Sequence, residues 1–306
     1  MKTCFLFPGQ GAQYAGMGKD FYETSKAVRA LFELASDSAK MDLKKLVFEG
    51  SEEDLKQTQN TQIAMALVEA ATALSAREHA IIPLACAGFS VGEWPALAEA
   101  GVLSHADMFR LVAERGRLME EAGRRSGGST MSAIINLAPD AIEAAIKEAG
   151  LANVWVANYN SPSQSVISGT EVEVAAAEIA CKAAGAKRAI RLKVSGAFHS
   201  PIMAYAYEGF KELLMDVKFS DPKLEVFSNV TGQKITSGAE AKKLAAEQII
   251  SPVRWIDEEK TIAAAGYDQC FEIGPGKVLS GLWDAINPDI ACAPLGTLAL
   301  VAGISL

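Results

Sequence analysis

Ile81-Ile82-Pro83-Leu84-Ala85-Cys86-Ala87-Gly88-Phe89-Ser90-Val91-Gly92-Glu93-Trp94-Pro95-Ala96-Leu97-Ala98-Glu99-Ala100 decides the fold. An apolar run leads into Gly-x-Ser-x-Gly, and a helix-like segment follows. A strand that turns abruptly into a helix would hold Ser90 at a strained, exposed corner. Gly88 and Gly92 remove the side chains that would block such a turn. The serine then sits at a helix N-terminus, where backbone N–H groups can stabilise an oxyanion. With 25 glycines in the chain, a capping serine in a glycine turn is the ordinary alternative. The strand-to-helix setting favours the nucleophile.

Working outward, 306 residues suffice for one large domain or two moderate ones. Half the residues are hydrophobic, many of them alanine, which suits close helix packing in an α/β protein. No apolar run reaches the roughly 18 residues of a membrane span. The opening Met1-Lys2-Thr3-Cys4-Phe5-Leu6-Phe7-Pro8 is too short for a signal peptide and is better taken as a first buried strand. A cytoplasmic protein that does not engage membranes is expected. The five cysteines are widely spaced, with no Cys-x-x-Cys pair, and the three histidines are scattered, so neither a disulfide framework nor a metal site is indicated. A net charge of −8 argues against nucleic acid as a partner.

The pattern predicts a strand at 3–7, a Pro-Gly-Gln-Gly loop at 8–13, and helices over 20–35, 62–79 and 104–121. A polar break at 124–129 then changes the rhythm. Strand 131–137, helix 140–150, strands 154–159 and 164–168, helix 171–184 and strand 187–194 follow in βαββαβ order, the ferredoxin-like arrangement. The expected architecture is α/β. A large α/β-hydrolase-like domain with a mostly parallel sheet spans 1–126 and 196–306, and a small ferredoxin-like domain over 127–195 is inserted into it. Helices over 201–214 and 239–250 and strands over 225–228 and 268–273 complete the large part. The apolar 298–306 fits either a last strand or a mobile tail.

A serine nucleophile needs a base. His79 ends a long helix beside Glu78, and His105 lies in a helix-capping stretch. His199 lies where the inserted segment rejoins the large one, and ligand sites form at such junctions. The order is then Ser90 before His199, with no acidic residue clearly placed between them on a strand end. A Ser–His dyad with a backbone carbonyl orienting the imidazole is the simpler expectation.

At this point several ordered motifs coincide. They are Pro8-Gly9-Gln10-Gly11-Ala12-Gln13, Gly88-Phe89-Ser90-Val91-Gly92-Glu93, Arg115-Gly116-Arg117-Leu118-Met119, Ala157-Asn158-Tyr159-Asn160-Ser161-Pro162-Ser163-Gln164, Gly196-Ala197-Phe198-His199-Ser200-Pro201 and Ser251-Pro252-Val253-Arg254-Trp255. Together they resemble the malonyl-CoA:acyl carrier protein transacylases, acyltransferases of bacterial fatty acid synthesis related to polyketide synthase acyltransferase domains. The resemblance spans nearly the whole chain. It implies that Ser90 is acylated, that His199 is the general base and that the Gln248 carbonyl orients it. It further implies an oxyanion hole from the N–H groups of Gln10 and Val91, capture of the malonyl carboxylate by Arg115, and Asn160 lining the site. Where the family carries histidine before the serine, this chain has Phe89, which changes the polarity of the pocket. Phe198 before His199 resembles the malonyl-type pattern, since its ring would crowd an α-methyl branch.

The resemblance implies a ping-pong transfer with coenzyme A thioester and carrier-protein phosphopantetheine as substrates and no bound cofactor. The expected partners are malonyl-CoA and acyl carrier protein, with the enzyme acting as a monomer. Docking of an acidic carrier would use a local basic patch, with Arg124-Arg125 and Lys187-Arg188, Arg191 and Lys193 as candidates. A trans-acting polyketide acyltransferase, a serine thioesterase or hydrolase, and a non-catalytic carrier-binding module are the alternatives.

Overall fold

The computed structural model describes residues 1–304. Its strands are β1 (Thr3–Phe7), β2 (Ala85–Gly88), β3 (Ser129–Ile135), β4 (Val154–Ser161), β5 (Gln164–Thr170), β6 (Arg188–Arg191), β7 (Glu225–Val226), β8 (Gln269–Glu272) and β9 (Ala291–Pro294). One sheet has the order β7-β2-β1-β8-β9 with every pair parallel. Central β1 is apolar at nearly every position and buried throughout, as a parallel sheet covered on both faces requires. Helix Thr58–Glu78, buried around most of its circumference, shares the main core with Phe5 and Phe7 of β1. Small residues allow that: a Cβ on Gly116 of helix His105–Arg125 would stand 2.8 Å from the Gln59 Cα, so the two helix backbones nearly touch.

The other sheet is antiparallel, with order β4-β5-β3-β6. With helices Pro139–Glu148 and Glu171–Ala183 it forms the anticipated ferredoxin-like βαββαβ arrangement. Strand alternation divides its side chains: Ile134, Val156 and Ile167 join Ile142 and Val174 of the helices in a core of their own. Met131, Ala133 and Val166 face the other way, into the main core. At the base of this unit Gly123 meets the returning chain so closely that a Cβ there would lie 2.1 Å from the Ser195 carbonyl oxygen.

Three local details differ from expectation. The helix expected over 20–35 is two, Lys19–Thr24 and Lys26–Ala39, because the Ser25 hydroxyl caps the second by accepting from the Val28 N–H. The 298–306 segment forms helix Leu298–Ala302, capped by Thr297, while residues 305 and 306 lie outside the described residues. Strand β9 has no clear signal in Ala-Cys-Ala-Pro; it is an edge strand, where a terminal proline is tolerated. Among the described residues no helix is long and apolar enough to cross a membrane.

The glycines of the elbow are steric requirements. A Cβ on Gly92 would stand 2.1 Å from the Phe7 carbonyl oxygen and 2.5 Å from that of Pro8, neither of which can swing away. Gly92→Ala should therefore destabilise the protein by about 1–3 kcal/mol or more in denaturant unfolding. Gly281→Ala, in helix Val278–Asp284 with open space around it, should stabilise by up to about 1 kcal/mol. Equal effects would contradict the steric account.

Candidate active site

Strand β2 delivers the chain to the elbow. Gly88 ends the strand, Phe89 is extended, and Ser90 adopts φ 54°, the left-handed region that non-glycine residues avoid. A 3-10 turn over Ser90–Gly92 leads directly into helix Glu93–Glu99. A Cβ on Gly88 would lie 2.0 Å from the Gly92 carbonyl oxygen, so the turn closes only on glycine.

His199 also has a positive φ, 57°. Its loop is held by Ser168 Oγ donating to the Phe198 carbonyl at 2.8 Å and Ser200 Oγ donating to that of Ala197 at 2.6 Å. The imidazole meets Ser90 with 2.8 Å between Nε2 and Oγ. Its Nδ1 lies 2.9 Å from the Gln248 carbonyl and 3.2 Å from that of Ser251. Carbonyl oxygens only accept, so the ring proton belongs on Nδ1, and the Nε2 lone pair faces the serine hydroxyl. Burial, then the nearby Arg115 charge, push the His199 pKa down to about 4 against the pull of the two carbonyls. The imidazole is therefore neutral and able to accept a proton across the physiological range.

Arg115 is fully buried behind Ser90. Its Nη1 donates to Gln62 Oε1 at 2.5 Å, and its Nη2 donates to Gln248 Oε1 at 2.9 Å and to Ser90 Oγ at 3.4 Å. Burial lowers its pKa to about 10, which leaves it charged at neutral pH. Below it, Gln248 Nε2 donates to the Ser90 carbonyl at 3.0 Å and to Glu93 Oε2 at 2.5 Å. Burial raises Glu93 to about 7, opposed by its bonds from Gln248 and Asn229. Asn229, three residues past β7, is also wholly buried and bonded to the elbow.

A cavity of about 330 Å³ opens onto Ser90 and His199. Gln10, Phe89, Asn160 and Phe198 form part of its wall, whereas Val91, Arg115 and Gln248 lie buried behind it. The Phe89 ring packs edge-on against Trp255, with 5.5 Å between centroids, and a Cβ on Gly9 would come within 2.9 Å of it. The aromatic side chain thus forms part of the wall and leaves no room for a side chain at position 9. Asn160 is buried, with a carboxamide oxygen that has no protein partner.

Ser90, His199, Gln10, Phe89, Asn160 and Phe198 lie on the cavity wall, and Val91, Arg115 and Gln248 in the buried layer behind it, whereas the basic residues of 124–125 and 187–193 are exposed elsewhere. His79 and His105 also lie elsewhere: His79 caps helix Thr58–Glu78, and His105 begins helix His105–Arg125. The sequence gives little sign of Gln62, of Asn229, or of Glu258, whose Oε1 accepts from Asn229 Nδ2 at 2.7 Å. Asn229 carried one usable signal, its place beyond the C-terminal end of a parallel strand, where α/β sites gather. Gln62 sits inside an apolar helix and carried none.

A family model described as "Acyl transferase domain" matches residues 4–286. The malonyl CoA-acyl carrier protein transacylase of Bacillus subtilis (strain 168) is 42% identical over 290 residues, covering 94% of this chain and 90% of its own. The solved acyl carrier protein S-malonyltransferase of Vibrio cholerae O1 superposes with a TM-score of 0.95 at 36% identity, covering 100% of both chains. A malonyl-transacylase solved in complex with a type II PKS acyl-carrier protein superposes with a TM-score of 0.93 at 36% identity, covering 98% of each chain.

The lowered His199 pKa has a direct consequence. Protonation fills the Nε2 lone pair that faces Ser90 Oγ, so serine reactivity that draws on that lone pair should fall as pH drops through the folded value. Labelling of Ser90 by a serine-directed fluorophosphonate should stay level from pH 7 to about 5 and be halved near pH 4. A midpoint near the ordinary histidine value of about 6.5 would contradict this electrostatic picture.

Proposed function

The chain belongs to the acyl transferase domain family, among the malonyl CoA-acyl carrier protein transacylases, and we propose that it moves a malonyl group from coenzyme A to the phosphopantetheine thiol of an acyl carrier protein through a malonyl ester on Ser90. His199 Nε2 takes the Ser90 proton as Oγ attacks the thioester carbonyl. The N–H groups of Gln10 and Val91 receive the oxyanion, worth roughly 3–4 kcal/mol for each well-placed donor. The C–S bond breaks, and the coenzyme A sulfur leaves with the proton from His199. The carrier thiol then gives its proton to His199 and attacks the ester, which regenerates Ser90. This is a ping-pong sequence run by a Ser–His dyad, with the Gln248 carbonyl holding the imidazole.

The observation that carries this reading is the Arg115 guanidinium 3.4 Å from the nucleophilic oxygen. A fixed cation beside the serine favours an acyl group bearing its own negative charge. One proton on Nη1 is not engaged by Gln62, and acylation frees the Nη2 proton that faces Ser90. Those two serve the malonyl carboxylate. Phe198 on the cavity wall leaves little room for an α-branch and favours malonyl over methylmalonyl.

Both substrates carry their own phosphopantetheine arm, and no further cofactor enters the scheme. We take the enzyme as a cytoplasmic monomer whose catalytic part, 1–126 and 196–306, is interrupted by the 127–195 insert. Arg125 and Arg191 are engaged by Glu121 and Glu178, at 2.6 and 2.8 Å. Exposed Arg124, Lys187, Arg188 and Lys193 are then the basic groups available to an acidic carrier. The likeness to a transacylase solved with a polyketide carrier makes such a carrier the one alternative acceptor that an observation favours.

Intact-mass analysis after mixing with malonyl-CoA should show one malonyl group on Ser90 and none on Ser90→Ala. Arg115→Ala should lower kcat/KM for malonyl-CoA on the order of 10²-fold, the loss of two charge-assisted hydrogen bonds. Acetyl-CoA, which lacks the carboxylate, should lose markedly less, its own loss reporting the displacement of Gln248 and Ser90. Equal losses with both thioesters would remove Arg115 from acyl recognition, and an unmodified Ser90 would end the transfer reading.

A further inference from the structure

Strand β7 is short, and what continues it is a side chain. Glu225 N–H donates to the Leu84 carbonyl and Phe227 N–H to that of Cys86, both at 3.2 Å. The next rung of a parallel ladder would have residue 229 donate its N–H to the Gly88 carbonyl and accept from the Ser90 N–H through its own carbonyl. The Asn229 main chain has turned away: its N–H donates to Glu93 Oε2 at 3.2 Å, and its carbonyl accepts from the Arg254 N–H at 2.9 Å. The carboxamide takes over both tasks. Nδ2 donates to the Gly88 carbonyl and Oδ1 accepts from the Ser90 N–H, each at 2.7 Å.

We propose that the Asn229 carboxamide is a surrogate ladder rung that positions Ser90 for reaction, holding the two peptide groups that flank Phe89 while the chain turns left-handed. The inference rests on the reading of Ser90 as the nucleophile. Glu258 sets the orientation of the amide. Its Oε1 accepts the second Nδ2 proton at 2.7 Å, which keeps Oδ1 toward Ser90. Gln248 Nε2 reinforces that orientation at 3.3 Å from Oδ1. Asn229 is fully buried and is not on the cavity wall, so it acts through Ser90 and touches no substrate. Asparagine alone fits the rung. Ionised aspartate keeps an acceptor for Ser90 but offers no donor, the protonated acid offers one donor where the amide serves both the Gly88 carbonyl and Glu258, glutamine is one methylene too long, and alanine supplies neither group.

The test separates position from folding. Asn229→Asp, Asn229→Gln and Asn229→Ala are reacted under single-turnover conditions with a fluorophosphonate and, separately, with malonyl-CoA. In the first reaction the Ser90 Oγ–phosphorus bond forms, fluoride leaves, and His199 takes the proton. The final amplitude counts folded, competent molecules, and the rate constant reports how well Ser90 is aimed. Rate constants for all variants should fall about 10- to 100-fold, with amplitudes near one label per folded chain and an unchanged acid midpoint. Rate constants within about twofold of the parent, with any loss confined to amplitude, would overturn the proposal by reducing Asn229 to a stability residue. If Asn229→Ala does not fold, the near-isosteric Asn229→Asp decides alone. A parent that reacts with the fluorophosphonate but not with malonyl-CoA would refute the acyl-transfer reading, while the fluorophosphonate rates would still decide for or against the rung.

Discussion

The guanidinium of Arg115 has no exposed surface, and protein groups must do for it what water otherwise would. Gln62 and Gln248 supply carbonyl oxygens, Ser90 supplies its hydroxyl, and Glu93 lies near enough to hold the charge in place. Each of these commitments shapes the site. Gln248, drawn in by the arginine, also presents its main-chain carbonyl to His199 and its amide nitrogen to the Ser90 carbonyl. The same charge helps to keep the imidazole unprotonated. One buried cation thus ties Gln62, Gln248 and Ser90 into a single hydrogen-bonded layer.

The parts of the site that follow from a local pattern were legible in the sequence. The elbow is visible because Gly88 and Gly92 are demanded by backbone contacts near 2 Å, and few other sequences would satisfy them. The βαββαβ rhythm survives because its strands alternate between two covered faces. His199 stood out by its place at a chain junction, and its Nε2 lies 2.8 Å from Ser90 Oγ. The layer behind the wall was not legible. Gln62 meets Arg115 across 53 residues of sequence and Asn229 meets Ser90 across 139, and a lone amide in a helix or after a short strand announces neither pairing. Strand β9 was missed for a different reason: its neighbour and the edge position, not its own residues, make it a strand.

Phe89 shows how a single position can be recognised before its role is. The sequence marks it as unusual beside the serine. Its setting against Trp255 and Gly9 shows an apolar ring filling a gap between the elbow and the loop that carries Gln10. The phenyl ring needs only contact there, and its edge-on packing against Trp255 supplies it.

The close approach of Gly123 to Ser195 has a consequence for the history of the fold. Between Ser90 and His199 the chain leaves the large sheet, builds an entire second sheet and returns, yet it leaves and returns through the same narrow gate. Because the gate is clamped backbone to backbone, the spacing of Ser90 and His199 is insulated from the length of the outer loops beyond it, while the inner face of the second sheet stays tied to the site through Ser168, Met131, Ala133 and Val166. Loop-closure entropy grows only slowly with the length enclosed. Such a gate allows the outer face of the enclosed module to be lengthened or resurfaced while Ser90 and His199 keep their spacing, so that the two can evolve on separate schedules.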